Sequence, residues 1–364
     1  WWGHISIIVE DSETGNGRSY DYGNFSFNEE NFVRNFVMGR LYFLKISSRA
    51  SYHLKSCKHQ NRDVTIYTLN VPPENKLKII RFLENDVKAE NRIYLYDHFY
   101  DNCSTRIRDE MDILTDGEFS KTFKVPSGMT LRQQLRRFSY RHHFMDWLLN
   151  FAISGIADKE ITYFDGMYLP QELGVCLEKM VIHNADGSSG PFVINKEIYN
   201  KAFGRPEIPA KAPPQWQYGL IIGFIFALIA FILLINAEEN PLKLKLTAIY
   251  SMLFSFVAAI PGSLLFFMAG FTDHAFAYWN MNLLFMNPLL FVVFAFSIRT
   301  IVKGQKELKA LKICWTVVSA AIILDILLKI VPACRQENWE SILIMLLPSL
   351  ALSLIPGLLR KNSK

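Results

Sequence analysis

The chain has few cysteines, and their spacing gives them no structural role. Cys57, Cys103, Cys176, Cys314 and Cys334 are an odd set without a Cys-x-x-Cys pair, so neither a disulfide framework nor a metal site is expected. A Cys57–Cys176 bridge stays open only if the surrounding domain lies outside the cytoplasm. No glycine-rich nucleotide loop stands in the right context and no metal-ligand spacing links His to Cys, so no cofactor is implied. The net charge of +5 is modest, and the basic residues are dispersed or sit beside apolar runs. That excludes the basic stripe of a nucleic-acid-binding protein. No signal peptide is visible, so a targeting segment ahead of the exported domain is expected.

Half of the residues are hydrophobic, but unevenly placed. Residues 1–211 read as a soluble domain rich in charge and aromatics, and residues 212–364 as a membrane domain. Five spans are expected, at 216–236, 246–270, 283–301, 313–331 and 342–359, each near the ~20 residues that cross a bilayer. Pro261-Gly262 would kink the second. Basic residues fill alternate connections: Lys243 and Lys245, then Arg299, Lys303, Lys306, Lys309 and Lys312, then Arg360, Lys361 and Lys364 in the tail. Residues 271–279 carry none and 332–340 only Arg335. The bias puts the tail in the cytoplasm and the soluble domain outside. One outer loop groups Asp273, His274, Asn280 and Asn282, either as solvated residues in an aromatic belt or as a polar floor for a lipid headgroup. Asp325 and Lys329, one helical turn apart in the fourth span, read as a neutralising pair with Lys329 snorkelling outward.

In the soluble half, residues 4–9 form an apolar strand, Gly15-Asn16-Gly17 a hairpin turn, and residues 19–27 an aromatic return strand. A regular hairpin sets His4 near Asn24, with Asp21 and Tyr22 as rivals one register step away. Residues 28–37 read as a helix and 64–69 as a strand. Pro72-Pro73 then opens an amphipathic helix with Leu77, Ile80, Leu83 and Val87 on its apolar stripe. Cys103 follows Asp101-Asn102 and precedes a helix that buries Ile107 and Met111. A thiolate there is stabilised by the helix dipole and first-turn amides, which can also serve an oxyanion. Arg106 and Arg108 add positive potential, and Asp109 answers one of them.

A cysteine before a helix is more often packing than nucleophile, and a strand histidine more often a satisfied core residue than a base. His53, His59, His98, His142, His143 and His183 are further imidazoles. The local pattern is what separates His4 and Cys103 from that background. The blocks Gly-His-Ile-Ser-Ile-Ile-Val, Tyr-Asp-Tyr-Gly-Asn-Phe-Ser-Phe and Asp-Asn-Cys-Ser-Thr-Arg-Ile-Arg-Asp resemble the bacterial lipoprotein N-acyltransferase family of Bacteroides type. So do Thr130-Leu131-Arg132-Gln133-Gln134-Leu135, Gly166-Met167-Tyr168-Leu169-Pro170, and the outer loop Phe-Thr-Asp-His with Trp-Asn-Met-Asn.

The resemblance implies an α+β papain-like domain of permuted NlpC type, with His before Cys, followed by a transmembrane helical bundle of about five helices. The family carries a strand ahead of the Gly-His block that this sequence does not show. The implied reaction moves an acyl chain from a phospholipid to Cys103 as a thioester, then to the N-terminal amine of a diacylglyceryl-cysteine lipoprotein. His4 is the implied base, and the hairpin offers Asn24, with Asp21 or Tyr22 as rivals, as the residue that orients it. Asn102, Arg106, His274 and Asn280 are candidate substrate contacts. A bacterial inner membrane with the catalytic domain on the periplasmic side is the implied location. The rival functions are a hydrolase of the same fold, either phospholipase or cell-wall peptidase, and a non-enzymatic membrane receptor.

Overall fold

The computed structural model describes residues 2–26, 31–183, 187–237, 239–304 and 308–353. The chain divides into two compact units, Trp1–Phe138 with Glu160–Lys211, and Ser139–Lys159 with Ala212–Lys364. The composition shift near residue 211 therefore coincides with a unit boundary. Residues 139–159, read with the soluble half, cluster instead with the second unit.

The first unit has mixed α/β content. Its hairpin joins β1 (Ser6–Glu10) to β2 (Gly17–Asn24), with Ser6 opposite Asp21 and Glu10 opposite Gly17. The turn closes because the Asp11 carboxylate accepts from the amides of Glu13 and Thr14, at 2.8 and 3.1 Å, and Gly15 takes a φ of 67°. The strand begins two residues later than expected, so His4 lies just outside its ladder.

Next come α1 (Phe32–Val37), β3 (Tyr42–Arg49), α2 (Ala50–His59), β4 (Val64–Leu69), α3 (Pro73–Asp86), β5 (Ile93–Leu95) and α4 (Cys103–Leu114). The helix expected over 28–37 is seen from Phe32, and residues 27–30 lie outside the described set. An antiparallel sheet of order β1-β2-β3-β5 results.

Further on lie α5 (Glu118–Phe123), β6 (Pro126–Thr130), α6 (Leu131–Ser139), α7 (His143–Ala152), β7 (Glu160–Thr162), α8 (Tyr163–Gly166) and α9 (Pro170–Lys179). The unit ends with β8 (Val181–His183), β9 (Ser189–Pro191) and β10 (Val193–Asn200), the last pairing with β4. Of these, α7 belongs to the second unit.

Ile107, Met111 and Leu114 of α4 share one core with Tyr20 and Tyr22 of β2 and Ile79 and Leu83 of α3. The α3 stripe differs from expectation: Asn75, Ile79 and Leu83 face inward, while Leu77 is 58% exposed. Asn75 decides the rotation. Its amide donates to Leu114 O at 3.0 Å and to Asp116 at 2.8 Å, two acceptors that periodicity alone does not reveal.

The second unit is helical: α10 (Trp216–Leu234), α11 (Pro241–Phe271), α12 (Leu290–Lys303), α13 (Leu308–Leu328) and α14 (Trp339–Ser353). Among the described residues three helices, α10, α11 and α13, are long and apolar enough to cross a membrane. The expected third span is corrected. Residues 281–284 form a 3-10 turn, and the helix starts only at Leu290. Fourteen residues rise about 21 Å, short of the ~30 Å hydrocarbon core. The fifth is a shorter apolar helix to Ser353, and the rest of that span and the basic tail lie outside the described residues.

The bundle is held by close backbone approach and internal hydrogen bonds, as a low-polarity surrounding demands. A Cβ at Gly223 of α10 would lie 2.1 Å from Leu343 O of α14. Trp315 donates to Ser251 Oγ at 2.8 Å, and Ser251 pairs with Ser297 at 2.8 Å. Lys329 does not snorkel outward. Its ammonium bonds Asn338 Oδ1 at 2.5 Å and the Gln336 carbonyl, while Asn338 Nδ2 donates to Asp325 Oδ2 at 3.0 Å. An asparagine amide bridges the two charges.

Candidate active site

Asn102 sets the N-terminus of α4, with Cys103 its first residue. Its carboxamide oxygen accepts from Ser104 N at 2.7 Å and Thr105 N at 2.9 Å, and Thr105 Oγ1 accepts from Asn102 N at 2.7 Å. This is a full capping box. Arg106 N bonds Asn102 O. Three of the four first-turn amides are thereby satisfied. The Asn102 amide nitrogen donates to His98 O at 2.7 Å and Tyr168 O at 3.0 Å. Asn102 is buried with its amide committed internally, and it holds the N-terminus of the helix that Cys103 opens.

His4 sits over Gly23, whose added Cβ would lie 2.3 Å from the imidazole Cε1. Only glycine lets the ring rest there. Its Nε2 meets Asp21 Oδ2 at 2.7 Å. Asp21, rather than Asn24, is therefore the residue that holds the ring. Asn24 donates to the other Asp21 oxygen at 2.9 Å, and Gly23 N donates to it at 2.7 Å. The hairpin ladder is regular and pairs Ser6 with Asp21, so its continuation sets His4 against Gly23 and not Asn24. Tyr22 sends its hydroxyl to Glu110 instead.

Cys103 is near enough to His4 to act on the protonation of its ring. Burial works against a charge on His4, but the hydrogen bonds and charges of Asp21 and Cys103 outweigh it and push the imidazole up to about 10. Asp21 is held below the usual carboxylate range: burial opposes its ionisation, yet the His4 bond and charge and the Gly23 amide prevail. The raised His4 value stabilises the folded chain fully below the ordinary 6.5 and loses that contribution as pH rises through about 10. Asp21→Asn is expected to flatten this decline, as measured by thermal unfolding between pH 6 and 10.5.

The other imidazoles are differently placed. His98 is buried among Trp2, Phe99 and Tyr168, and burial pushes it down to about 4. His53 of α2 stands 3.4 Å from Ser6 Oγ and feels the charges of Asp21 and His4. It is lowered mainly by burial.

Arg106 is committed to Asp101 through Nε and Nη2, at 2.5 and 2.7 Å, and lies 4.6 Å over the Tyr94 ring. Arg108 pairs with Asp109. Residues 166–170, which sequence reasoning quoted without a role, bind the site together. Ser104 Oγ donates to Met167 O at 2.6 Å, Tyr168 O takes the Asn102 amide, and Pro170 lies 3.5 Å from the Cβ position of Gly3.

In the second unit, Asn280 is buried and fully bonded. It donates to Phe151 O and Ala152 O at 2.9 and 3.1 Å and accepts from Asn282 N and Gln336 Nε2, both at 3.0 Å. Its polar atoms are all taken up in bracing the fold. His274 pairs through Nδ1 with Thr272 Oγ1 at 2.7 Å and is half-buried.

Glu110, two turns along α4 from Cys103, was not singled out by sequence. It is buried beside Tyr22 of β2 with Oε2 unbonded, and burial followed by the Asp86 charge pushes it up to about 8. Arg106 and Asp109 also face it, with opposite effects. Tyr22 precedes Gly23, so the Tyr22–Glu110 bond ties the strand under His4 to the helix of Cys103. A raised carboxyl favours folding below its ordinary 4.5 and loses that contribution as pH rises through about 8. In Glu110→Gln the loss of melting temperature across that window is expected to shrink. An unchanged slope would contradict the assignment.

All five cysteines are free thiols. Among the described residues no three His, Cys, Asp or Glu side chains gather as ligands for a metal ion.

Residues 1–137 match the family model described as the Lnb N-terminal periplasmic domain. No curated protein and no solved structure matches the chain. The class that emerges joins an α/β domain similar to that periplasmic domain to helices long and apolar enough to span a membrane.

Proposed function

We propose that the protein is a membrane-bound acyltransferase that moves an acyl chain from phospholipid to the N-terminal amine of diacylated lipoproteins. The observation that carries this reading is the constellation of Cys103 at the first position of α4, His4 near it, and Asp21 on His4 Nε2. The arrangement follows papain-like logic with His ahead of Cys in the chain, and the periplasmic-domain match supports it.

In the first half-reaction His4 takes the proton from Cys103 Sγ, and the thiolate attacks the ester carbonyl carbon. The Cys103 N–H receives the developing oxyanion. Collapse breaks the bond to the glycerol oxygen, which leaves with the proton from His4, giving a lysophospholipid and a Cys103 thioester. In the second, the lipoprotein α-amine attacks the thioester, His4 accepts the amine proton, and the amide forms as the thiolate departs. The basic loops orient the chain with the catalytic domain on the periplasmic side of a multi-pass inner-membrane protein and the C-terminus in the cytoplasm.

The test uses the full chain in phospholipid vesicles with a diacylated lipopeptide. Intact mass should gain one acyl group on Cys103, and the lipopeptide should become triacylated. Release of free fatty acid with no lipopeptide product would make the protein a hydrolase. No adduct and no product would leave a non-enzymatic membrane protein.

A further inference from the structure

A row of aromatic rings runs from the protein surface towards Cys103, and the steps above do not use it. At its outer end α1 buries none of its side chains: Val33 is 72% and Phe36 56% exposed. A six-residue helix with this sequence, Phe-Val-Arg-Asn-Phe-Val, covers no core and presents apolar surface outward. Phe36 lies 6.3 Å from Phe32 and Phe32 6.1 Å from Phe25, centroid to centroid. Phe25 then lies 5.1 Å from Phe43 of β3, and Phe43 stacks on Tyr96 at 4.2 Å. Tyr96 ends the row: its hydroxyl meets His98 Nδ1 at 3.3 Å, and the His98 carbonyl takes the amide of Asn102, the residue before Cys103, at 2.7 Å. Its phenol is raised by burial and then by the Cys103 charge. Phe25 comes two residues after Gly23, so the row skirts the His4 side of the site. Arg34 lies on α1 and Arg40 follows it, both exposed, which places positive charge at the outer end.

We propose that this row is the acyl-chain site: α1 dips into the lipid surface, and one fatty acyl chain of a glycerophospholipid lies along Phe36, Phe25, Phe43 and Tyr96 with its ester at Cys103. The assignment rests on the acyl-transfer reading. It adds where the donor lies and why an apolar helix stays uncovered. Two features select lipid over a protein partner. The row leads through Tyr96 and His98 to the residue before the thiol, and Arg34 adds positive charge for a phosphate at the surface end. Chain length should then matter, each further buried CH₂ strengthening binding about fourfold.

The full chain in vesicles is compared with its Val33→Asp/Phe36→Asp variant, using palmitoyl-oleoyl and monomeric dihexanoyl phospholipids as donors. The ratio of long-chain to short-chain acylation rates at Cys103 should fall about tenfold or more, as losing the burial of one large apolar side chain implies. Iodoacetamide labelling of Cys103 reports that the site stays intact. Independently, a phospholipid with a diazirine on its acyl chain should crosslink within residues 25–43 of both wild type and Cys103→Ala. An unchanged ratio, or crosslinks that avoid residues 25–43, overturns the proposal. A wild type that takes no acyl group from either donor refutes the enzymatic reading, and the crosslink map then decides alone whether the row binds lipid chains.

Discussion

Cys103→Ser is expected to abolish the acyl adduct and reduce lipopeptide acylation by about 10³-fold or more, the scale seen when a covalent nucleophile is removed. A serine hydroxyl preserves the shape and the capping box, because Asn102 holds the helix N-terminus through its own side chain. What changes is the acidity of the attacking atom. The His4–Asp21 pair favours a protonated imidazole, which is raised to about 10 partly by Cys103. A hydroxyl does not ionise in that field, so the protein should melt near its normal temperature and form no thioester. Residual acylation at the wild-type rate would move the nucleophile elsewhere.

The second large effect comes from a residue with no side chain. Gly23→Ala is expected to slow acylation about 10²-fold, the loss that follows when a reacting group is displaced by about 1 Å. Its methyl would sit 2.3 Å from His4 Cε1, far inside contact distance, and the ring must tilt away. The tilt breaks the 2.7 Å bond to Asp21 and the approach to Cys103 together. Iodoacetamide reactivity at Cys103 should fall in parallel. Gly190→Ala, where nothing lies within 4 Å of the added carbon, should leave both readouts unchanged. If the two variants behaved alike, the close packing of His4 on Gly23 would carry no functional weight.

Much of the local structure around the site was legible because short-range rules govern it. The hairpin follows from Gly15-Asn16-Gly17, and the start of α4 follows from the Asp101-Asn102 turn before Cys103. Apolar spacing identified Ile107 and Met111 as the buried face of α4. It failed on α3, where two hydrogen bonds from Asn75 to partners about 40 residues away rotate the helix and expose Leu77. It failed again at 283–301, where hydropathy counts apolar residues but does not see that Asn287-Pro288 delays the helix to Leu290.

By itself the sequence determined that a soluble α/β region precedes apolar helices, that Cys103 opens a helix, and that His4 adjoins a hairpin strand. These are consequences of periodicity, capping and turn chemistry, each confined to a few neighbouring residues. Only the tertiary structure decided that Asp21 rather than Asn24 meets His4. It also showed that Asn102 and Asn280 are consumed by the fold, that Glu110 and Tyr22 tie strand to helix, and that an aromatic row leads from α1 to Tyr96. Those facts turn on hairpin register and on contacts between residues tens of positions apart. Side-chain geometry at that scale is set by packing, and no local pattern encodes it.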